Sequence, residues 1–452
     1  MLAEALRLTT SQEDIDELTA QLEAELKECE ATTVSYKNKL KQFMMENDIW
    51  QISELNYYWR EKYCEYLKNR MSKTSCELYI KTFDRVKLHS LRKQPQIILA
   101  GKRQRLEYAD EILYLPYHPN IEIAERFCRE NNKNLLAWDF TLIAAEKLKR
   151  QIFQVLHYFI ENAANSERMH AQLGGLARLY DFCILEQIED LEKLEIDQIE
   201  RFQKTFTTEY QRHYYAGVTY WCGRALFMEA EEIHWDANVW YMERMHLQPE
   251  RIDPAAPIMS LSFAEVTNKE NRKLLQKYLR YGIGIANLSI SSLRTEFLVV
   301  RKFLGDMNQP ETENICMVTE QQMDAWLRSE QQREVQADTF NKKVMCILHF
   351  FQYLQIKDYI TAIPFDPNYY LKKTFMQHHD RSVAQETMDQ IRRNLYRFPE
   401  EVRLMYLHLW GVGLRISEVC TLKGNAYYLQ GKDAWIQVYQ IKMRTYKRIP
   451  IP

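Results

Sequence analysis

Glycine and proline are both scarce, with 12 of each in 452 residues. So few backbone breakers exclude collagen-like and low-complexity classes and leave long helices as the default. The nine cysteines are scattered from Cys29 to Cys420 without a C-x-x-C pair. That excludes a zinc-ribbon spacing and a disulfide framework, and points to a reducing, cytoplasmic setting. No apolar run approaches the roughly 18 residues of a membrane span. The first residues, MLAEALRLTTSQEDIDELTAQLEAELKECE, are acidic where a secretory signal is basic and then apolar. No motif calls for a membrane or a small-molecule ligand.

What the chain has is apolar and aromatic content, 46% and 12% of its residues, enough to bury sizeable cores in a mainly α protein of several domains. Its formal net charge of -2 conceals a segregation. The first thirty residues hold nine acidic side chains against two basic ones, whereas Leu371 to Pro452 holds 14 Lys and Arg against 7 Asp and Glu. A shorter run from Arg85 to Arg105 has seven Lys and Arg and no acidic residue. Basic patches in a near-neutral chain suit a polyanionic partner, because neutralised phosphates release counterions. A solvated charged face accounts for them equally well.

Apolar residues recur with helical spacing over most of the first 360 positions. One unit recurs at Tyr36–Leu67, Gly175–Phe206 and Glu296–Ser329: a helix, a short connector rich in Ile, Leu or Met, and a second helix. These read as small helical modules at 1–115, 123–245 and 264–366. The breaks fall at YLPYHPNIEI and at the proline-rich MHLQPERIDPAAPIMSLSF. A different region spans 380–452. Helices are expected from Gln385 and from Glu400, the latter with Pro399 just before it. AWIQVYQI, Ala434–Ile441, is the one clear strand pattern, followed by a basic turn KMRTYKR and a second strand starting at IPIP.

The stretch WGVGLRISEVCTLKGNAYYL, Trp410–Leu429, sets Arg415 between apolar Leu414 and Ile416, after a Gly411/Gly413 turn. Glu418 follows within one helical turn. A guanidinium fork held by packed Leu414 and Ile416 suits two phosphate oxygens. Lys442, at the strand end with Arg444, Lys447 and Arg448 around the tip, can reach the same phosphate from another side. Such a set stabilises charge on a pentacoordinate phosphate. On chemistry alone, an ordinary ion pair and a solvated turn explain the same residues.

GVGLRISEVCTLKGNAYYLQGKDAWIQVYQIKMRTYKRIPI resembles the first catalytic block of the tyrosine recombinase (phage integrase) family, through its spacing, strand placement and RIPI finish. Residues from about 270 to 365 resemble that family's helical core-binding domain. The resemblance implies SAM-like helical modules followed by an incomplete α+β catalytic domain. It implies that Arg415 clamps the scissile phosphate, Glu418 positions that arginine, and Lys442 is the general acid toward the leaving 5′-hydroxyl. The hairpin is one residue longer than the commonest pattern, which leaves Arg444 and Lys447 open for the lysine's role.

Family members recombine double-stranded DNA at specific sites, in integration, excision or transposition. They act as tetramers on paired sites, through a 3′-phosphotyrosyl intermediate and without metal, ATP or other cofactor. Their His/Lys-x-x-Arg motif, a further His or Trp and the tyrosine nucleophile have no counterpart here. No histidine follows Arg415, and Tyr439 and Tyr446 lie on the hairpin itself. The resemblance therefore implies a DNA-binding chain, truncated before the second catalytic block and leaving one sheet face bare. A non-catalytic DNA-binding or regulatory protein that keeps the recombinase scaffold is the alternative.

Overall fold

The computed structural model describes residues 12–29, 32–68, 70–93, 98–99, 102–103, 106–130, 135–253, 256–285, 288–375, 382–440, 442–443 and 445–451. Helices dominate, and no helix among the described residues is long and apolar enough to cross a membrane. The chain divides into two compact units, Met1–Leu191 with Arg201–Cys222, and Glu192–Glu200 with Gly223–Pro452.

In the first unit, helices Gln12–Glu28, Val34–Glu46, Tyr57–Lys68 and Lys73–Lys93 close over Phe43, Tyr63 and Phe83, all buried. Their rings meet at 4.9 Å (Phe43–Tyr63) and 5.7 Å (Tyr63–Phe83). Such aromatic pairs stabilise beyond the area they bury. Helices Glu146–Asn162 and Ser166–Leu185 follow, the second capped by Asn165, whose side chain accepts the Arg168 amide at 2.8 Å.

In the second unit, helices Lys269–Gly284, Ile290–Met307, Glu320–Gln332 and Ala337–Ile356 enclose a core around Trp240, Phe263, Phe297, Phe303 and Phe351. Thr319 and Gln322 start the third of these helices with a reciprocal capping box, at 2.9 and 3.3 Å.

The recurring unit has a shared backbone device. After the first helix of each copy stands a non-glycine residue with positive φ: Asp48 (56°), Gln187 (53°) and Asn308 (39°). In two copies the next amide returns into the helix end, Ile49 N to Met44 O and Ile188 N to Cys183 O, each at 2.9 Å. These bonds satisfy carbonyls that would otherwise be orphaned, offsetting the strain of the left-handed residue. A 3₁₀ turn follows in every copy, at Ile52–Glu54, Leu191–Lys193 and Ile315–Met317, burying Ile52, Leu191 and Ile315. The next helix then begins at Tyr57, Ile196 or Glu320.

Small open sheets complete the fold. Ile112–Tyr114 pairs with Ala137–Asp139, Val239–Tyr241 with Ser260–Ser262, and Ile98–Leu99 with Lys102–Arg103, all antiparallel. The expectation of a single clear β region is corrected here, because pairs this short carry no alternating pattern to read. The largest sheet is near the C-terminal end: Tyr427–Gln430, Asp433–Gln440 and Thr445–Pro450, antiparallel in chain order. The expected strand at Ala434 begins one residue earlier, and a further strand, Tyr427–Gln430, precedes it. The expected turn KMRTYKR is also shorter: Thr445–Arg448 already lie in the last strand, paired with Gln440 back to Gln437.

Candidate functional site

Helix Glu400–Gly411 begins directly after Pro399, as the sequence implies. It stops at Gly411, and the chain turns through Gly413, whose φ of +70° is a conformation that L side chains rarely adopt. The Leu414 amide then donates to His408 O at 3.2 Å, tying the turn back to the helix. The His408 Nδ1–H donates to Leu404 O at 2.6 Å, so its Nε2 is left to accept from the Tyr427 hydroxyl on the first strand.

Arg415 is the N-cap of the short helix Ile416–Cys420. Its amide donates to Glu418 Oε2 at 2.9 Å, and its Nη1 donates to Glu418 Oε1 at 2.7 Å. One carboxylate thus grips both backbone and side chain of the same residue. Gln440, from the middle strand, donates to Glu418 Oε1 at 3.3 Å. The Glu418 side chain is 4% exposed and that of Arg415 is 55% exposed. Burial pushes the Glu418 carboxyl up, but the bonds and charge of Arg415, with Gln440, outweigh it and hold the group below its usual range. The result is an anchored guanidinium with donors still facing water.

The expected packing around Arg415 is half corrected. Leu414 is buried in a small core with Ala426, Ile436 and Val438, but Ile416 is 58% exposed. The arginine is oriented by a hydrogen-bonded carboxylate and not by an apolar sandwich, because one turn of helix cannot turn residues on both sides of Arg415 inward.

Lys442 is exposed on the turn after Gln440, which is closed by Met443 N to Gln440 O at 3.0 Å. Arg444 lies outside the described residues. Lys447 and Arg448 are exposed on the last strand and do not surround the tip. Lys447 pairs with Val438 and Arg448 with Gln437, so they lie on opposite faces of the sheet. Lys447 shares the face of Val438 and Gln440, the face that meets Glu418. Arg448 shares the other with Trp435 and Tyr439.

Gln440 is the residue that reading for charge passed over. Its parity with buried Ile436 and Val438 was the available signal, since a polar residue ending an inward-facing row needs an internal partner.

The basic run Arg85–Arg105 is less open than its composition suggests. Lys87 is buried and donates to Ser53 O at 2.7 Å, and burial lowers its pKa to about 8. Arg92 pairs with Glu125 at 2.8 Å, and Lys93 pairs with Glu28. Helical folding brings acids from distant segments onto a stretch that has none of its own.

The chain is 22% identical over 231 residues to transposase B from transposon Tn554 of Staphylococcus aureus, in strains Mu50 and N315 alike. Transposase B from transposon PsiTn554 of Staphylococcus aureus matches to the same extent. The match covers 50% of this chain and 36% of each relative, so the chain spans only about a third of the length of the curated relatives it matches. No known protein-family model matches the chain. No solved structure matches it.

Proposed function

We propose that the chain is the DNA-binding part of a site-specific transposase of the tyrosine recombinase class, with Arg415 clamping a phosphate of double-stranded DNA. The observation that carries this reading is the Arg415–Glu418 pair: a buried carboxylate fixes the arginine from below and leaves the guanidinium half exposed. A planar fork held this way meets two phosphate oxygens without first losing rotamer freedom. The distant similarity to transposases of mobile elements supports the same reading.

In this reading Lys442 protonates the leaving 5′-hydroxyl oxygen, a task that suits an exposed lysine on a short turn. Lys447 and Arg448 add phosphate contacts, and Arg444 belongs to the same set. The reaction of the class forms a bond from a tyrosine oxygen to phosphorus as the bond to the 5′-oxygen breaks, leaving a 3′-phosphotyrosyl link. No tyrosine of these 452 residues is assigned that role. Assembly as a tetramer on paired sites belongs to the same proposal.

Binding of a fluorescent duplex, followed by anisotropy across a salt series, tests it. Affinity should fall steeply with salt, and Arg415→Ala and Lys442→Ala should each reduce the slope of log affinity on log salt by about one. A flat salt response, or an Arg415→Ala chain with an unchanged slope, would sink the assignment.

A further inference from the structure

The second compact unit carries a groove of about 740 Å³, walled by the end of helix Lys269–Gly284, the end of helix Ala337–Ile356 and the segment from Ile233 to Arg251. Its volume is that of a site for a small organic ligand. Four basic residues line it, Arg251, Lys277, Arg280 and Lys357, and no Asp or Glu does. The whole chain has 62 acidic residues against 60 Lys and Arg, so a wall of one sign is a local arrangement and not a consequence of composition.

Three of these cations lie against aromatic rings. The Arg280 guanidinium lies 4.7 Å from the centre of the Trp235 ring, and Lys357 Nζ lies 5.5 Å from that of Tyr281. Lys277 Nζ lies 5.2 Å from the Tyr359 ring and donates to its hydroxyl at 3.1 Å. Lys277, Arg280 and Lys357 form no salt bridge among the described residues. Lys273, on the same helix but outside the groove, is paired with Glu270 at 2.7 Å. At the rim, His246 has a φ of 46°, a left-handed conformation in a residue other than glycine.

Basic residues gather at helix C-termini for a simpler reason, since they complement the dipole and the last carbonyls. Here most of those carbonyls are already taken. Arg251 donates to Ile283 O and Leu288 O, both at 2.8 Å, and to Gly282 O at 3.4 Å. The end of Ala337–Ile356 is closed by the amides of Lys357, Asp358 and Tyr359, which donate to Tyr353, Gln355 and Leu354. The three groove cations are therefore surplus to capping.

We propose that this groove binds a nucleoside phosphate, with Arg280, Lys277 and Lys357 holding the phosphate and the Arg280–Trp235 pair receiving the base. An arginine laid on an indole is a platform on which a nucleobase stacks, and the lysines supply mobile donors for phosphate oxygens. A free nucleotide and an unpaired nucleic-acid strand present the same chemistry. The groove's residues are distinct from Arg415, and nothing in its chemistry depends on what Arg415 does.

Two fluorescent probes, labelled ATP and a labelled short oligothymidylate, are titrated against the full chain at low salt. Binding of ATP identifies a free nucleotide as the occupant, and binding of the oligothymidylate alone identifies an unpaired strand. Arg280→Gln and Lys357→Gln, both at exposed positions, should each weaken binding about tenfold and together about a hundredfold. Lys273→Gln should leave binding unchanged. If the wild-type chain binds neither probe, or the double variant binds as tightly as wild type, the proposal fails.

Discussion

Glu330 and Glu418 are both buried carboxylates with an arginine one helical turn away, yet they sit in regions built to different ends. Glu330 is 2% exposed and takes three cations: Arg333 at 2.6 Å, Lys343 at 2.7 Å and Lys302 at 3.3 Å. Its helix packs against a core that includes Met323 and Leu327. Among the described residues Glu418 takes one cation, and the small core beside it has four buried members. Helices Gln385–Asn394 and Glu400–Gly411 bury no residue completely, and Val402, Leu404, Leu407 and Trp410 remain exposed. Around Glu330 the charges close on one another and serve stability. Near the C-terminal end the carboxylate takes its bonds from one arginine and from Gln440, and leaves that arginine open to a ligand.

The largest expected effect is on the deeper core. Phe303 is fully buried, with its ring centre 4.9 Å from that of Trp326. Phe303→Ala should cost about 3–5 kcal/mol in a urea titration followed by helical circular dichroism. A loss below about 1 kcal/mol, within the range of surface changes, would erase the distinction between the two regions.

Next come the carboxylates themselves. Glu330→Gln should destabilise by about 1.5–3 kcal/mol, the worth of hydrogen bonds to charged partners. Glu418→Gln should cost about 1 kcal/mol, while raising hydrogen exchange at the Arg415 amide. Equal costs, or an unchanged Arg415 amide, would show that the two pairs do the same work.

Acid should weaken both carboxylate pairs. For Glu418, burial raises the pKa and the Arg415 bonds outweigh it. For Glu330, burial again raises it and Lys343 and Lys302 outweigh it. Both folded values therefore lie below the unfolded one. The stabilising contribution is complete above the usual glutamate range, about 4.3, and is lost as pH falls through the folded values. Stability against urea should drop below about pH 4.3, and by less in Glu330→Gln, which no longer titrates there. An identical acid profile in that variant would contradict the assignment.

The smallest effect belongs to Lys442→Ala. An exposed turn lysine should change stability by less than about 0.5 kcal/mol. A larger loss would mean that the turn is part of the packing and not a free arm.

The periodic pattern, the capping residues and the breakers made the helices legible, from Tyr36 onward through Glu400. Alternation in AWIQVYQI placed the longest strand to within a residue. Short strand pairs such as Ile112–Tyr114 with Ala137–Asp139 were not legible, because three residues carry no period and their partners lie far along the chain. Arg415 and Glu418 were readable as a pair from their spacing. Parity with Ile436 and Val438 could turn Gln440 inward, but that its partner is Glu418, and that Ile416 stays outside, was not readable.

By itself the sequence determined where the main helices lie, where the longest strand runs, and that one arginine stands beside one glutamate. These are local matters, set by propensities and spacings within a few residues. Tertiary structure decided which charges are spent and which remain. It buried Lys87 and paired Arg92 with Glu125, and it sent Lys447 and Arg448 to opposite faces. Among the described residues it also left Arg280 and Lys357 without a carboxylate partner. The physical reason is range: a charge is neutralised by whatever folding brings within a few ångströms of it, and sequence distance says little about that.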